Sequence, residues 1–160
     1  MDSTIFINWM SARKDRLSLK AALSGYALMK IRDGMKAYTT TLVKDEVLIW
    51  LSRYGSSRLK NFMTSLRALA SLQIVRPTLE DEEEAVENFG KFPLGISDLI
   101  NLSVMRRLDI SEILSADKGF DKVPKIRRVF EELKGEEGFR TFSEKLISLN
   151  YRLKYKLPEG

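Results

Sequence analysis

The side chains best able to do chemistry in this 160-residue sequence are carboxylates, and four of them, Asp2, Glu46, Asp98 and Asp117, stand at marked positions. The chain contains no cysteine and no histidine. Disulfides, thiolate metal sites and Cys nucleophiles are therefore excluded, and the commonest general base and the usual zinc ligand are missing. What remains for a hydrolase is a set of carboxylates around a hard, oxygen-seeking cation, Mg2+ or Mn2+. Such a cation lowers the pKa of a water and neutralises charge developing on a phosphate.

Each acid has a chemical reading and a plain one. Glu46 lies four residues after Leu42 and four before Trp50, on the same side of a helix as two apolar residues. There an unpaired carboxylate is costly, unless it reaches water or pairs with Lys44 or Arg53. Asp98 falls in the first turn of a helix expected over 97–107, where it complements the dipole. Ser97 is the better N-cap, which leaves Asp98 free beside the apolar face of Leu102 and Met105. Asp117 follows a strand candidate, Ile113-Leu114-Ser115, at the kind of strand end where ligands collect; alternatively Asp117-Lys118-Gly119 is a simple Asx turn. Asp121 is a further ligand candidate or a helix N-cap before Pro124, and Asp2 is either a site residue or part of a frayed terminus.

The elements that must position these acids alternate. Helices are expected over 17–32, 42–54, 57–71 and 97–107, with an acidic helix after Thr78, whose side chain suits an N-cap. Short strands are expected at 36–40, 72–75 and 113–115. Residues 124–134 read as a helix, or as a strand over 125–130. Phe142, Leu146, Leu149 and Leu153 mark a final amphipathic helix. The alternation argues for an α/β sandwich around a mostly parallel sheet.

Charge is uneven: residues 1–79 carry 13 Lys/Arg against 5 acids, residues 80–117 carry 3 against 10, and residues 118–160 carry 11 against 7. A basic chain with an acidic middle suits a polyanion approaching an acidic pocket, and also suits a merely charged, thermally robust surface. No apolar run approaches membrane-spanning length and the opening residues lack the pattern of a signal peptide, so a cytoplasmic protein is expected.

Taken in order, the motifs resemble the PIN-domain family, including the VapC-type toxins of toxin–antitoxin pairs. Asp2-Ser3-Thr4-Ile5-Phe6 is similar to the family's opening, and Glu46 in Thr39–Val47 takes the place of its helix glutamate. Leu94-Gly95-Ile96-Ser97-Asp98-Leu99-Ile100 looks like the third acid's motif, and Ile113–Asp121 resembles its signature of strand, Asp, small turn, Phe and Asp. The resemblance covers roughly residues 1–130 and implies a three-layer α/β/α sandwich, with 131–160 a C-terminal helical extension packing on the domain or a partner. Only Met1 precedes Asp2, so the first strand is expected to be truncated. The resemblance further implies an endoribonuclease whose Mg2+ or Mn2+ is held by Asp2, Glu46, Asp98 and Asp117, with Asp121 a possible fifth acid. Ser3 and Ser115 would hydrogen-bond those carboxylates. A homodimer, an RNA substrate and an antitoxin partner are the implied associations. The alternative is a catalytically inactive PIN-like module that binds RNA or acts as a scaffold.

Overall fold

The computed structural model describes residues 1–157. Seven α-helices are present among them: α1 (Ser3–Met10), α2 (Leu19–Arg32), α3 (Thr41–Tyr54), α4 (Leu59–Ala68), α5 (Leu79–Glu87), α6 (Ile96–Arg107) and α7 (Glu137–Ser148). Four short strands are interleaved with them: β1 (Ala37–Thr40), β2 (Leu72–Val75), β3 (Glu112–Leu114) and β4 (Arg127–Val129).

The strands pair in parallel, β1 with β2 from Ala37↔Leu72 to Thr40↔Val75, and β3 with β4 from Glu112↔Arg127 to Leu114↔Val129. The dipeptide Met1-Asp2 sits between the two pairs. The Met1 nitrogen donates to the Tyr38 carbonyl at 2.7 Å, the Thr39 hydroxyl donates to the Met1 carbonyl at 3.0 Å, and the Asp2 amide donates to the Leu114 carbonyl at 3.0 Å. These two residues thus bridge β1 to β3. Successive strand residues face opposite ways, and β3 shows it: Ile113 packs into one apolar layer and Leu114 into the other.

Helices cover both faces. On one, α1, α2, α3, α4 and α7 bury Ile5, Phe6, Leu23, Ile31, Val47, Leu51, Phe62 and Phe139. On the other, α5 and α6 bury Ala85, Leu99 and Leu102 against Ile113 and Phe120. The architecture is a three-layer α/β/α sandwich with parallel strands.

Local chemistry sets the boundaries. Ser18, Thr40 and Thr78 accept from the amides of Ala21, Val43 and Asp81, so each caps a helix through its hydroxyl. Gly34 adopts a left-handed φ of 114° just after α2, as its place beyond the helix end requires. Several expectations shift. Residues 3–10 form a helix that periodicity did not single out, and 57–71 divides into a 3-10 turn at 56–58 followed by the shorter α4. Gly95, not Ser97, is the N-cap of α6. The segment after Pro124 follows the strand reading, β4, and then a 3-10 turn over 131–135.

The C-terminal segment folds back onto α2. Phe139, Phe142 and Leu146 are buried beside Ala22 and Tyr26, burial that contributes roughly 1.5–3 kcal/mol for each large side chain. Glu136 accepts from the Tyr26 hydroxyl at 2.7 Å and from Lys30. Leu149 is half exposed and Leu153 lies beyond α7, pairing with Leu17 in an isolated parallel bridge, so the buried stripe is centred one turn earlier than the spacing suggested.

Candidate functional site

The four acids lie on four different elements. Asp2 ends the short bridging segment and precedes α1, Glu46 is on α3 after β1, Asp98 is in the first turn of α6, and Asp117 follows β3.

Asp2 is 2% exposed, a buried carboxylate that would be costly without partners. Its side chain does not cap α1. Instead Oδ2 accepts from the Ser115 hydroxyl at 2.6 Å and the Thr4 hydroxyl at 2.8 Å, and Oδ1 accepts from Ser3 at 3.3 Å. The two closer hydroxyls are themselves fixed, because Ser115 Oγ accepts from the Asp117 amide at 3.0 Å and Thr4 Oγ1 from the Ala116 amide at 3.0 Å. Asp2 and the strand end that carries Asp117 are therefore one hydrogen-bonded unit. Sequence reading anticipated Ser3 and Ser115 here and missed Thr4, whose position two residues after Asp2 at a helix start was the available signal.

Asp117 also makes its Asx turn, with Oδ1 accepting from the Gly119 amide at 2.8 Å. A side chain at Gly119 would meet the Pro93 carbonyl at 2.6 Å and Leu94 at 2.7 Å. That close approach brings the turn after β3 against the segment leading into α6, and so brings Asp117 towards Asp98. On the other side, the Thr40 hydroxyl caps α3 and donates to Asn101 Oδ1 at 2.7 Å, which ties α3 to α6 and hence Glu46 to Asp98.

Asp98 shows the result most clearly. Its pKa is pushed up from 3.8 to about 7, first by burial, then by the negative charge of Asp2, with Glu46 and Asp117 adding to it against a hydrogen bond from the Gly95 amide. One Asp98 oxygen is thus partly engaged, at 3.3 Å, in bracing the start of α6, which corrects the expectation that Ser97 would leave it free. Glu46 does not pair with Lys44, which binds Asp45 instead, and its Oε2 is buried with no hydrogen-bond partner.

Asp121 departs from the expectation of a fifth ligand. Its carboxylate is taken by Arg128, at 2.8 and 3.1 Å, and the guanidinium holds its pKa below the usual range. Nor does it cap a helix. The Arg128 side chain is only 6% exposed and reaches Glu131 at 2.7 Å and the Ser115 carbonyl at 3.1 Å. It braces the residue whose hydroxyl holds Asp2, a role with no trace in the sequence pattern.

Among the described residues no group of three or more acids is placed so that it could hold a metal ion as it stands. The chemistry of the donors is nevertheless that of a hard divalent cation site: all oxygens, one aspartate whose pKa is raised by burial and then by its like-charged neighbours, and one buried glutamate oxygen without a donor. These are unfavourable features that a cation in their midst would relieve.

A family model described as the PIN domain matches residues 1–126. This chain belongs to the PIN-domain family. Among solved structures it resembles Mycobacterium tuberculosis VapC20, a sarcin–ricin-loop-cleaving toxin, at 17% identity over 79% of this chain and 96% of that one, with a TM-score of 0.59. It also resembles a chain of a toxin–antitoxin complex from Klebsiella pneumoniae, at 17% identity over 78% and 92% of the two chains, with a TM-score of 0.57. Among curated protein sequences none matches significantly. At such identities these two neighbours support the PIN fold. No helix among the described residues is long and apolar enough to cross a membrane.

Proposed function

We propose that this PIN-domain protein is a divalent-metal-dependent endoribonuclease, with Asp2, Glu46, Asp98 and Asp117 holding Mg2+ or Mn2+. The arrangement that carries the reading is the hydrogen-bonded unit joining buried Asp2, through Ser115, to the strand end that bears Asp117, with Asp98 near enough to Asp2, Glu46 and Asp117 to feel their charges. A structural ion pair lowers an aspartate's pKa, whereas burial and like charges raise it, and a cation would relieve the like-charge part. When bound, the cation supplies Lewis-acid activation of a water and neutralises charge on the scissile phosphate. The chain's own residues do the positioning. Ser115 and Thr4 fix Asp2, the turn at Gly119 fixes Asp117, and the Thr40–Asn101 contact sets α3 beside α6. With its pKa raised to about 7, Asp98 is partly protonated near neutral pH, and a bound cation would favour its ionised form.

The fold neighbours support a toxin of a toxin–antitoxin pair, with an antitoxin partner, and a cytoplasmic homodimer is the accompanying expectation. The C-terminal extension would pack on the nuclease domain itself, a reading supported by Phe139 and Phe142, which lie in the core cluster beside α2. The test is cleavage of RNA with Mn2+ or Mg2+. Activity is expected to vanish in EDTA and in Asp117→Asn, and cleavage that survives either condition removes the proposed mechanism. RNA binding without turnover at any metal concentration would favour the inactive binding module instead.

A further inference from the structure

Helix α3 does more than deliver Glu46. Trp50 and Tyr54 follow at four-residue intervals, so the three side chains descend one side of the helix, Tyr54 lying about 12 Å from Glu46 along the axis. The two rings stand 6.0 Å apart at 42°, and Tyr54 is 70% exposed. An aromatic this exposed has no account in the core, where Val43, Val47 and Leu51 form the buried face of the same helix.

Cations surround the rings. The Arg58 guanidinium lies over the Trp50 ring at 5.8 Å and donates to the Met10 carbonyl at 2.5 Å, so it is anchored rather than free-swinging. Gly55 keeps the space clear, since a side chain there would meet the guanidinium at 2.7 Å. Arg53, on α3 between the two aromatics, and Lys60, in the first turn of α4, are exposed, with no ion pair among the described residues. Near these residues the chain has no acid between Glu46 and Glu80. Trp50 itself packs partly against the core, so Tyr54 offers the exposed ring, and an exposed aromatic ring beside unpaired cations is what an unstacked base and its phosphates bind.

We propose that the Trp50–Tyr54 face of α3, with Arg53, Arg58 and Lys60, is a docking platform for single-stranded RNA that leads the strand to the acidic site. Tyr54 stacks on a base, Arg58 and Trp50 form the floor beside it, and Arg53 and Lys60 meet phosphates. The proposal rests on the ribonuclease reading for its direction towards Glu46, but binding at the platform is measurable without cleavage.

The test is fluorescence anisotropy with a fluorescein-labelled 12-nucleotide oligo(A), in EDTA, using the full chain. Tyr54→Ala is expected to weaken binding roughly tenfold, the scale of one base–aromatic stack, while Tyr54→Phe binds like the parent. Arg53→Ala is expected to lower the slope of log K against log salt by about one. Phe89→Ala, an exposed aromatic beyond acidic α5, is the matched control and leaves binding unchanged. Because Tyr54 is at the surface, its loss leaves the melting temperature in place, which separates the effect from misfolding. Affinity within twofold of the parent for Tyr54→Ala, equal weakening by Phe89→Ala, or no binding by the parent at low salt overturns the platform. Cleavage by the parent combined with an inert Tyr54→Ala would remove the platform and keep the nuclease. Tyr54-dependent binding without cleavage would do the reverse.

Discussion

Replacing Asp98 by Asn should stabilise the metal-free protein near and above neutral pH while abolishing its stabilisation by Mn2+. Folding raises the Asp98 pKa from 3.8 to about 7, so the folded state binds this proton more tightly than the unfolded chain. The sign follows: stability is full at low pH and declines as pH rises from about 4 to about 7, because ionising Asp98 in the fold then becomes unfavourable. A shift of about 3 units at 1.36 kcal/mol each sets a ceiling of about 4 kcal/mol. Asp98 is half-buried, so solvent screens part of this, and about 2 kcal/mol is the reasonable expectation. For a domain of this size that is a rise of roughly 4–8 °C in Tm. Asn retains an oxygen for the Gly95 amide and cannot ionise, so the variant should lose the pH dependence together with the penalty. Thermal melts in EDTA at pH 5 and pH 8, repeated with Mn2+, read both effects. A variant that melts below the parent at pH 8 in EDTA, or that gains as much as the parent from Mn2+, would refute the reasoning.

Three further outcomes follow from the same network. Ser115→Ala removes the 2.6 Å donor to buried Asp2 and the acceptor of the Asp117 amide; it should cost about 1–3 kcal/mol in denaturant unfolding and weaken the Mn2+ effect on Tm, and an unchanged unfolding midpoint would contradict it. Arg128→Met frees Asp121 and Glu131 to water but strips the Ser115 carbonyl of its donor. A loss of about 1–3 kcal/mol is expected, with Asp121 titrating closer to its ordinary range by NMR, and an Asp121 that still titrates low would contradict the pairing. Gly25→Ala places a methyl 2.4 Å from the Trp9 ring in a packed helix pair, so an overpacking cost of about 1–3 kcal/mol should outweigh the gain in helix propensity, and a Tm equal to the parent's would show that Trp9 yields freely.

What was legible in the sequence was whatever local chemistry decides. Thr78 followed by an acidic turn announces a helix start, and the structure shows the full reciprocal cap with Asp81. Leu72–Val75 is β-rich, bounded by turn signals, and forms β2 at those same residues. Membership of the PIN-domain family was legible too, and the family model matches residues 1–126, close to the span the motifs suggested. What was illegible depends on contacts between distant segments. Helix α1 has no acid in its first turn and no base in its last, and its apolar run hides any polar face. The N-cap of α6 went to Gly95 because Asp98 reaches back to the Gly95 amide, a choice that Ser97 as a residue type obscures.

The two plain readings that did hold are instructive about how an acidic site is built. Asp117 does make its Asx turn and Asp98 does sit at a helix N-terminus, yet both also feed the charged cluster. A carboxylate has two oxygens, and one engaged with a local amide fixes the direction of the other, so structural and chemical roles are not alternatives at these positions. Asp121 shows the limit of that rule. Arg128 engages both of its oxygens with a positive charge, which already neutralises the carboxylate, and the candidate that looked equivalent in sequence becomes a brace. The discriminating quantity for a site acid in such a fold is therefore how many of its lone pairs a cationic neighbour has already claimed, and only the tertiary contact at Arg128, seven residues away, reveals it.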